Sequence, residues 1–261
     1  ASKNWKLIVF LKRCALLASG YYNDYGERLI GDIDILVESN HLYKAEHLLK
    51  EVNYNSQEQT LFGKHKKHRH LPRLIHAEHL GAVEIHSKLL RKEKQNLLTV
   101  NTILANQKLI NGVSVPRIED NLDILILNHQ INDFGYAFKS IDLKVCYDSF
   151  VLEQQQEQQQ KEANTLGVSK YHRLFYTLRA LYFEPSTKDS IKTTTVLKTI
   201  YAFINKNKIA RRIYTWLVSL NVRLMTCLVG VKLFVKNKHF RAEVWAHKSE
   251  AIKLLKRGDL V

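Results

Sequence analysis

Six residues, Asp32-Ile33-Asp34-Ile35-Leu36-Val37, constrain this chain more than any other stretch. Ile, Ile, Leu and Val without Gly or Pro read as a β-strand. Strand alternation sends Ile33, Ile35 and Val37 to one face, into a core, and Asp32 and Asp34 together to the other. Two carboxylates side by side repel each other unless a cation neutralises them. Hard oxygen donors of this kind suit Mg²⁺, which takes one or two protein carboxylates along with substrate phosphate oxygens. The chain is thus expected to build a sheet with one apolar face and a cation-holding polar edge.

A second strand supplies a third acid. Gly81 turns the chain into residues 82–89, where Glu84 and His86 project from one face. Glu84 beside Asp32 and Asp34 completes a candidate site for two metal ions, Mg²⁺ or Mn²⁺. Six of the twelve histidines fall between positions 65 and 86: His65, His68, His70, His76, His79 and His86. No cysteine accompanies them, and their spacing fits no zinc finger. His68 and His70 alternate on a candidate strand over 68–75 and, with His86, are candidates to face the site and meet a phosphate.

The rest of the chain reads as an α/β part followed by helices. Helical spacing marks residues 5–18 and 41–52, with Ser39 or Asn40 as the cap of the second. Residues 59–62 are a further candidate strand, 99–110 are mixed and 112–116 form a connector. Helices are expected over 118–132, 138–160, 167–182, 191–205, 210–235 and 242–256, with a polar glutamine-rich run at 152–160. Tyr171, His172, Arg173, Phe175, Tyr176 and Arg179 mix aromatic and basic chemistry on one of them. Residues 213–235 are apolar and long enough to span a bilayer, but Asn221, Arg223 and Lys232 interrupt them. They are expected to be a buried core helix, with no membrane span.

Charge separates the two parts. Of the 40 Lys/Arg and 25 Asp/Glu that give the chain its net charge of +15, residues 161–261 hold 20 and 6. That excess suits a polyanionic partner such as RNA or another anionic acceptor. Cys14, Cys146 and Cys227, odd in number and far apart, do not form a disulfide framework and fit a reducing cytoplasm.

Together the motifs resemble one family. A strand with two acids two apart, then a third acid on a later strand, is the pattern of the DNA polymerase β-like nucleotidyltransferase superfamily. The detail is similar to an uncharacterised bacterial group of nucleotidyltransferase family proteins. Leu11-Lys12-Arg13-Cys14-Ala15-Leu16-Leu17, the Tyr-rich stretch 21–28 ending in Arg28, the Asp-Ile-Asp-Ile-Leu-Val strand, Glu84-Ile85-His86, Leu127-Asn128-His129 and Asp148 follow that group in order over about residues 8–150.

The resemblance implies an α+β chain. A nucleotidyltransferase-fold N-terminal domain, a mixed sheet with flanking helices, would take residues 1–112. A basic all-helical C-terminal domain would take 113–261. It further implies metal-dependent transfer of a nucleoside monophosphate from an NTP such as ATP to an acceptor hydroxyl, with release of pyrophosphate. Asp32, Asp34 and Glu84 are then the catalytic and metal-holding residues. Lys12, Arg13, Arg28, His86, His68 and His70 are the candidate nucleotide-binding residues. Arg13 stands where the family places glycine, so its side chain either blocks the triphosphate or supplies charge to it. Arg13 also motivates a second reading, a binding module that keeps the fold without turnover; a third is a toxin-type nucleotidyltransferase acting on tRNA or protein.

Overall fold

A computed structural model describes residues 8–59, 64, 68–158, 169–183 and 195–249. The candidate strand 59–62, His65, and the outer parts of the helices expected over 5–18, 191–205 and 242–256 fall wholly or partly outside these residues. The described chain is a mixed α+β structure, strands first and helices after. One compact unit takes in the described residues of 8–57 and 69–201, and a second those of 58–68 and 202–249.

The sheet of the first unit has five strands in the order β1-β2-β5-β4-β3. These are β1 (Val9–Phe10), β2 (Asp32–Leu36), β3 (Asn55–Ser56), β4 (Leu74–Ile75) and β5 (Ala82–His86). Its centre is the parallel pair β2–β5, and the remaining pairings are antiparallel. A parallel neighbour needs a crossover, and helix α2 (Leu42–Glu51) lies on that connection. Ala45, with Leu42 and Leu49, packs on Ile35, Val37, Leu74, Val83 and Ile85, the apolar face expected from strand alternation.

The stretch expected to be one helix over 5–18 divides. Val9 and Phe10 form β1, and helix α1 (Lys12–Ala18) begins only after it. The N–H of Leu11 donates to the Asp34 carbonyl at 2.9 Å. Lys12 then takes a left-handed backbone, φ 53°, to turn the chain from strand to helix. Pairing with the buried β2 outweighs the helical spacing of the side chains, because tertiary context overrides weak local propensity.

After β5 come helix α3 (Val100–Ala105) and a hairpin of β6 (Lys108–Ile110) and β7 (Val113–Val115). Asn111 and Gly112, both at positive φ, make its two-residue turn. What reads as a connector over 112–116 is therefore a strand. Helix α4 (Ile118–Leu127) widens at its end into one π turn, Asn128–Asn132. The short α5 (Gly135–Phe138), α6 (Leu143–Gln158) and α7 (Lys170–Tyr182) follow. Their cores are shared with the sheet region: Leu16 and Tyr22 pack with Leu125, Cys146, Leu152 and Phe175. The Asn132 side chain ties the π turn to the segment after β5 by donating to the Leu89 carbonyl at 2.9 Å.

Gly135 follows that turn because nothing larger fits. A Cβ there would lie 2.6 Å from His129 Nε2 and 3.0 Å from the His129 carbonyl oxygen. Gly135→Ala should lower stability by about 1–3 kcal/mol, the usual range for forcing a methyl into a filled site. An unchanged urea midpoint would remove His129 as the constraint.

The later helices are α8 (Thr195–Lys206), α9 (Lys208–Lys236) and α10 (Lys238–Ala246). Asn207 caps α9 by accepting from the N–H groups of Ile209 and Ala210, each at 3.0 Å. The helix expected to be a buried core element is not one: no residue of α9 is buried. Length and apolar content are common to core helices and to exposed amphipathic ones, and only the packing separates them.

Candidate active site

The site is assembled by the register of two strands. In the parallel pair, Asp32 lies opposite Ala82, Asp34 opposite Glu84 and Leu36 opposite His86. Alternation then puts Asp32, Asp34, Glu84 and His86 on one face of the sheet, opposite the face packed by α2. Asp34 is the most enclosed of the three acids, with 5 % of its surface exposed.

Each acid has a basic neighbour. Lys12 Nζ donates to Asp34 Oδ1 at 2.7 Å, made possible by the left-handed turn that opens α1. His86 Nε2 stands 2.8 Å from the same oxygen and 3.6 Å from Glu84 Oε2. Arg73, just before β4, bridges the other two acids: its Nη2 donates to Glu84 Oε1 at 2.9 Å and to Asp32 Oδ2 at 3.1 Å. His70 approaches Glu84 Oε2 at 3.9 Å, while its Nδ1 lies 2.7 Å from the Leu71 carbonyl oxygen and donates to it. Burial shifts the His70 imidazole below its ordinary value.

These contacts keep the carboxylates charged. Burial opposes the charge of Asp34, but hydrogen bonds and charge from His86 and Lys12 outweigh it and hold the carboxyl well below the usual range. The His86 hydrogen bond, against burial and with His70 and Arg73, brings Glu84 down to about 2. A lowered carboxyl pKa stabilises the fold above the unfolded value of about 4.5 and is lost as pH falls toward about 2. Glu84→Gln should therefore flatten the acid limb of stability between those two pH values. Urea midpoints measured across that window, parallel for wild type and variant, would refute the assignment.

Among the described residues, one group of three can close on a cation: Asp34, Glu84 and His86, whose ligand atoms lie within 4.8 Å of one another. Two carboxylate oxygens and an imidazole nitrogen fit a divalent ion that accepts mixed oxygen and nitrogen donors. The structure thus draws His86, expected from the sequence as a nucleotide contact, into the metal-holding set. Asp32 stays beside it, tied to Glu84 through Arg73.

Arg73 was missed by sequence reasoning. Nothing in its local pattern marks it, and it reaches Asp32 only because β4 folds back antiparallel on β5. Arg13 and Arg28 lie with Asp148 instead of the three acids. Arg28 donates to both oxygens of the fully buried Asp148 at 3.0 and 3.4 Å, and Arg13 Nε is 3.7 Å away. His68 is exposed and belongs to the second unit. On α7, Tyr171, Phe175 and Arg179 are buried, His172 meets Asp123 at 2.8 Å and Arg179 meets Glu153 at 2.9 Å. That helix spends its aromatic and basic residues on packing and ion pairs.

Two central parallel strands thus carry three acids and a histidine on one face, with a lysine at the start of the preceding helix. The chain belongs to the family described as "Uncharacterised nucleotidyltransferase", whose model matches residues 6–184. Comparison with curated proteins and with solved structures gave no match. Family membership assigns a general role in nucleotidyl transfer, and the Asp34–Glu84–His86 group is compatible with metal binding.

Proposed function

We propose that the protein moves a nucleoside monophosphate from an NTP to an acceptor hydroxyl in a divalent-metal-dependent reaction. The observation that carries this reading is the pairing of Asp34 with Glu84 in register, with Asp32 one pleat along on the same face. Asp34, Glu84 and His86 would hold Mg²⁺ or Mn²⁺. When bound, the ion supplies positive charge to phosphate oxygens and to the departing pyrophosphate.

The chain's own groups divide the remaining work. Lys12, at the head of α1 and beside Asp34, would meet the triphosphate. Glu84, held at about 2, is a weak base and a good ligand. Asp32 is the most solvent-open of the three acids, its side chain 24 % exposed against 13 % for Glu84. It is the carboxylate left to take the acceptor's proton. The acceptor oxygen bonds to the α-phosphorus, the bond from that phosphorus to its bridging oxygen breaks, and pyrophosphate leaves.

Incubation with each α-labelled NTP, Mg²⁺ or Mn²⁺ and a cell extract tests this. A labelled protein, RNA or small molecule identifies the acceptor. A second reading is favoured by Arg73 and Lys12, which already contact all three acids: a binding module that holds nucleotide without turning it over. Mg²⁺-dependent NTP binding without any labelled product would select it.

A further inference from the structure

Helix α9 is the feature that nucleotidyl transfer leaves without a role. It spans 29 residues, about 43 Å at 1.5 Å per residue. Its length and composition would allow it to cross a membrane, yet none of its apolar window is buried. Ile213, Trp216, Leu217, Leu220, Leu224 and Leu228 recur at helical spacing and form one stripe, with Met225 and Val229 exposed outside it. Each is between 41 and 63 % exposed. The opposite side carries Thr215, Ser219, Thr226 and Gly230, all half-buried. The same side also holds half-buried Val218, Val222 and Leu233, so the helix carries apolar residues on both sides and leaves the Ile213–Leu228 stripe uncovered.

Charge says what covers that stripe. Exposed Arg212 and Arg223 border one long edge, and exposed Lys232 and Lys236 border the other. The helix has six Lys/Arg and no Asp/Glu, and residues 202–261 hold 13 Lys/Arg against 3 Asp/Glu. We propose that α9 lies in the plane of an anionic lipid surface, with the Ile213–Leu228 stripe among the acyl chains and its basic edges at the headgroups. This is the arrangement of an interfacial amphipathic helix: an apolar face to insert and flanking cations to hold anionic lipid.

The alternatives fit the same residues less well. Crossing the bilayer would carry Arg223 and Lys232 into hydrocarbon, whereas at the interface both reach the headgroups. A second copy of α9 would set six cations against six with no acid to pair them. Single-stranded RNA wants aromatic faces for its bases, and this stripe is aliphatic apart from Trp216.

The test uses the full chain and vesicles of phosphatidylcholine, alone or with about a third phosphatidylglycerol, in about 0.1 M salt. The chain should partition onto the anionic vesicles at least about tenfold more strongly than onto the neutral ones. Brominated lipid should quench its fluorescence, and Trp216→Phe should remove most of that quenching. Leu220→Asp with Leu224→Asp should lower partitioning about tenfold or more. Both positions are exposed, so the fold is retained, and an unchanged thermal midpoint checks that. Arg212→Gln with Arg223→Gln and Lys232→Gln leaves the stripe whole and should reduce the preference for anionic lipid. Equal partitioning onto both vesicles, or wild-type partitioning by the double aspartate variant, overturns the proposal. So does salt-sensitive retention of RNA, or a concentration-dependent dimer, in a chain that ignores vesicles.

Discussion

Asp34→Asn should cut nucleotidyl transfer by at least about 10³-fold, the equivalent of about 4 kcal/mol of transition-state stabilisation. The substitution keeps the shape of the side chain and removes its charge. Asp34 is where the basic groups converge: Lys12 at 2.7 Å and His86 at 2.8 Å share one of its oxygens. Without that charge the metal-holding set falls to Glu84 and His86, and Lys12 loses the contact that aims it. Lys12 keeps an 18 % exposed side chain and can turn toward water, so the fold should lose only about 1–3 kcal/mol. Initial rates with labelled NTP, read beside Mn²⁺ binding, separate the two effects. A rate within tenfold of wild type would take Asp34 out of the chemistry.

Asp148→Asn is the counterpart in the helical part, with a large effect on stability. Asp148 is fully buried, accepts from Arg28 and from the Tyr22 hydroxyl at 2.9 Å, and has Arg13 nearby. Burial and the Asp148 charge push the Tyr22 phenol far above its ordinary value, so it stays a donor. Arg28, itself only 7 % exposed, has little water with which to replace the lost charge. Removing one partner of such a pair typically costs about 3–5 kcal/mol, because the other charge is stranded. Urea unfolding measures it. A loss below about 1 kcal/mol would mean that the arginines rehydrate and the pair is a surface one in practice.

The Asp-Ile-Asp strand was legible because two signals agreed, apolar alternation on one side and a costly pair of acids on the other. Glu84 and His86 were legible for the same reason, although spacing alone did not say that His86 would turn to Asp34. The boundary at Lys12 was hidden, since a two-residue strand leaves no period to detect and a left-handed lysine has no sequence signature. Arg73 was hidden because its partners are 41 and 11 residues away and only the sheet order unites them. Asp148 stood out in the sequence only as the last member of the family pattern, and the structure places Arg28 and Tyr22 on it. The exposed side of α9 was invisible in principle: hydropathy reports what a face is made of, and the fold decides whether anything covers it.

The Arg73 bridge also alters how this protein meets ions. Its guanidinium already sits between Asp32 and Glu84, so a cation arriving there does not fill a hole. It trades places with a charge the protein carries itself. Such a trade has a smaller driving force than simple addition, and apparent affinity reports the difference between two cations for the same oxygens. On the proposed reading the site would gain most from an ion delivered already bound to phosphates, since the incoming anionic oxygens would give a displaced Arg73 somewhere to go.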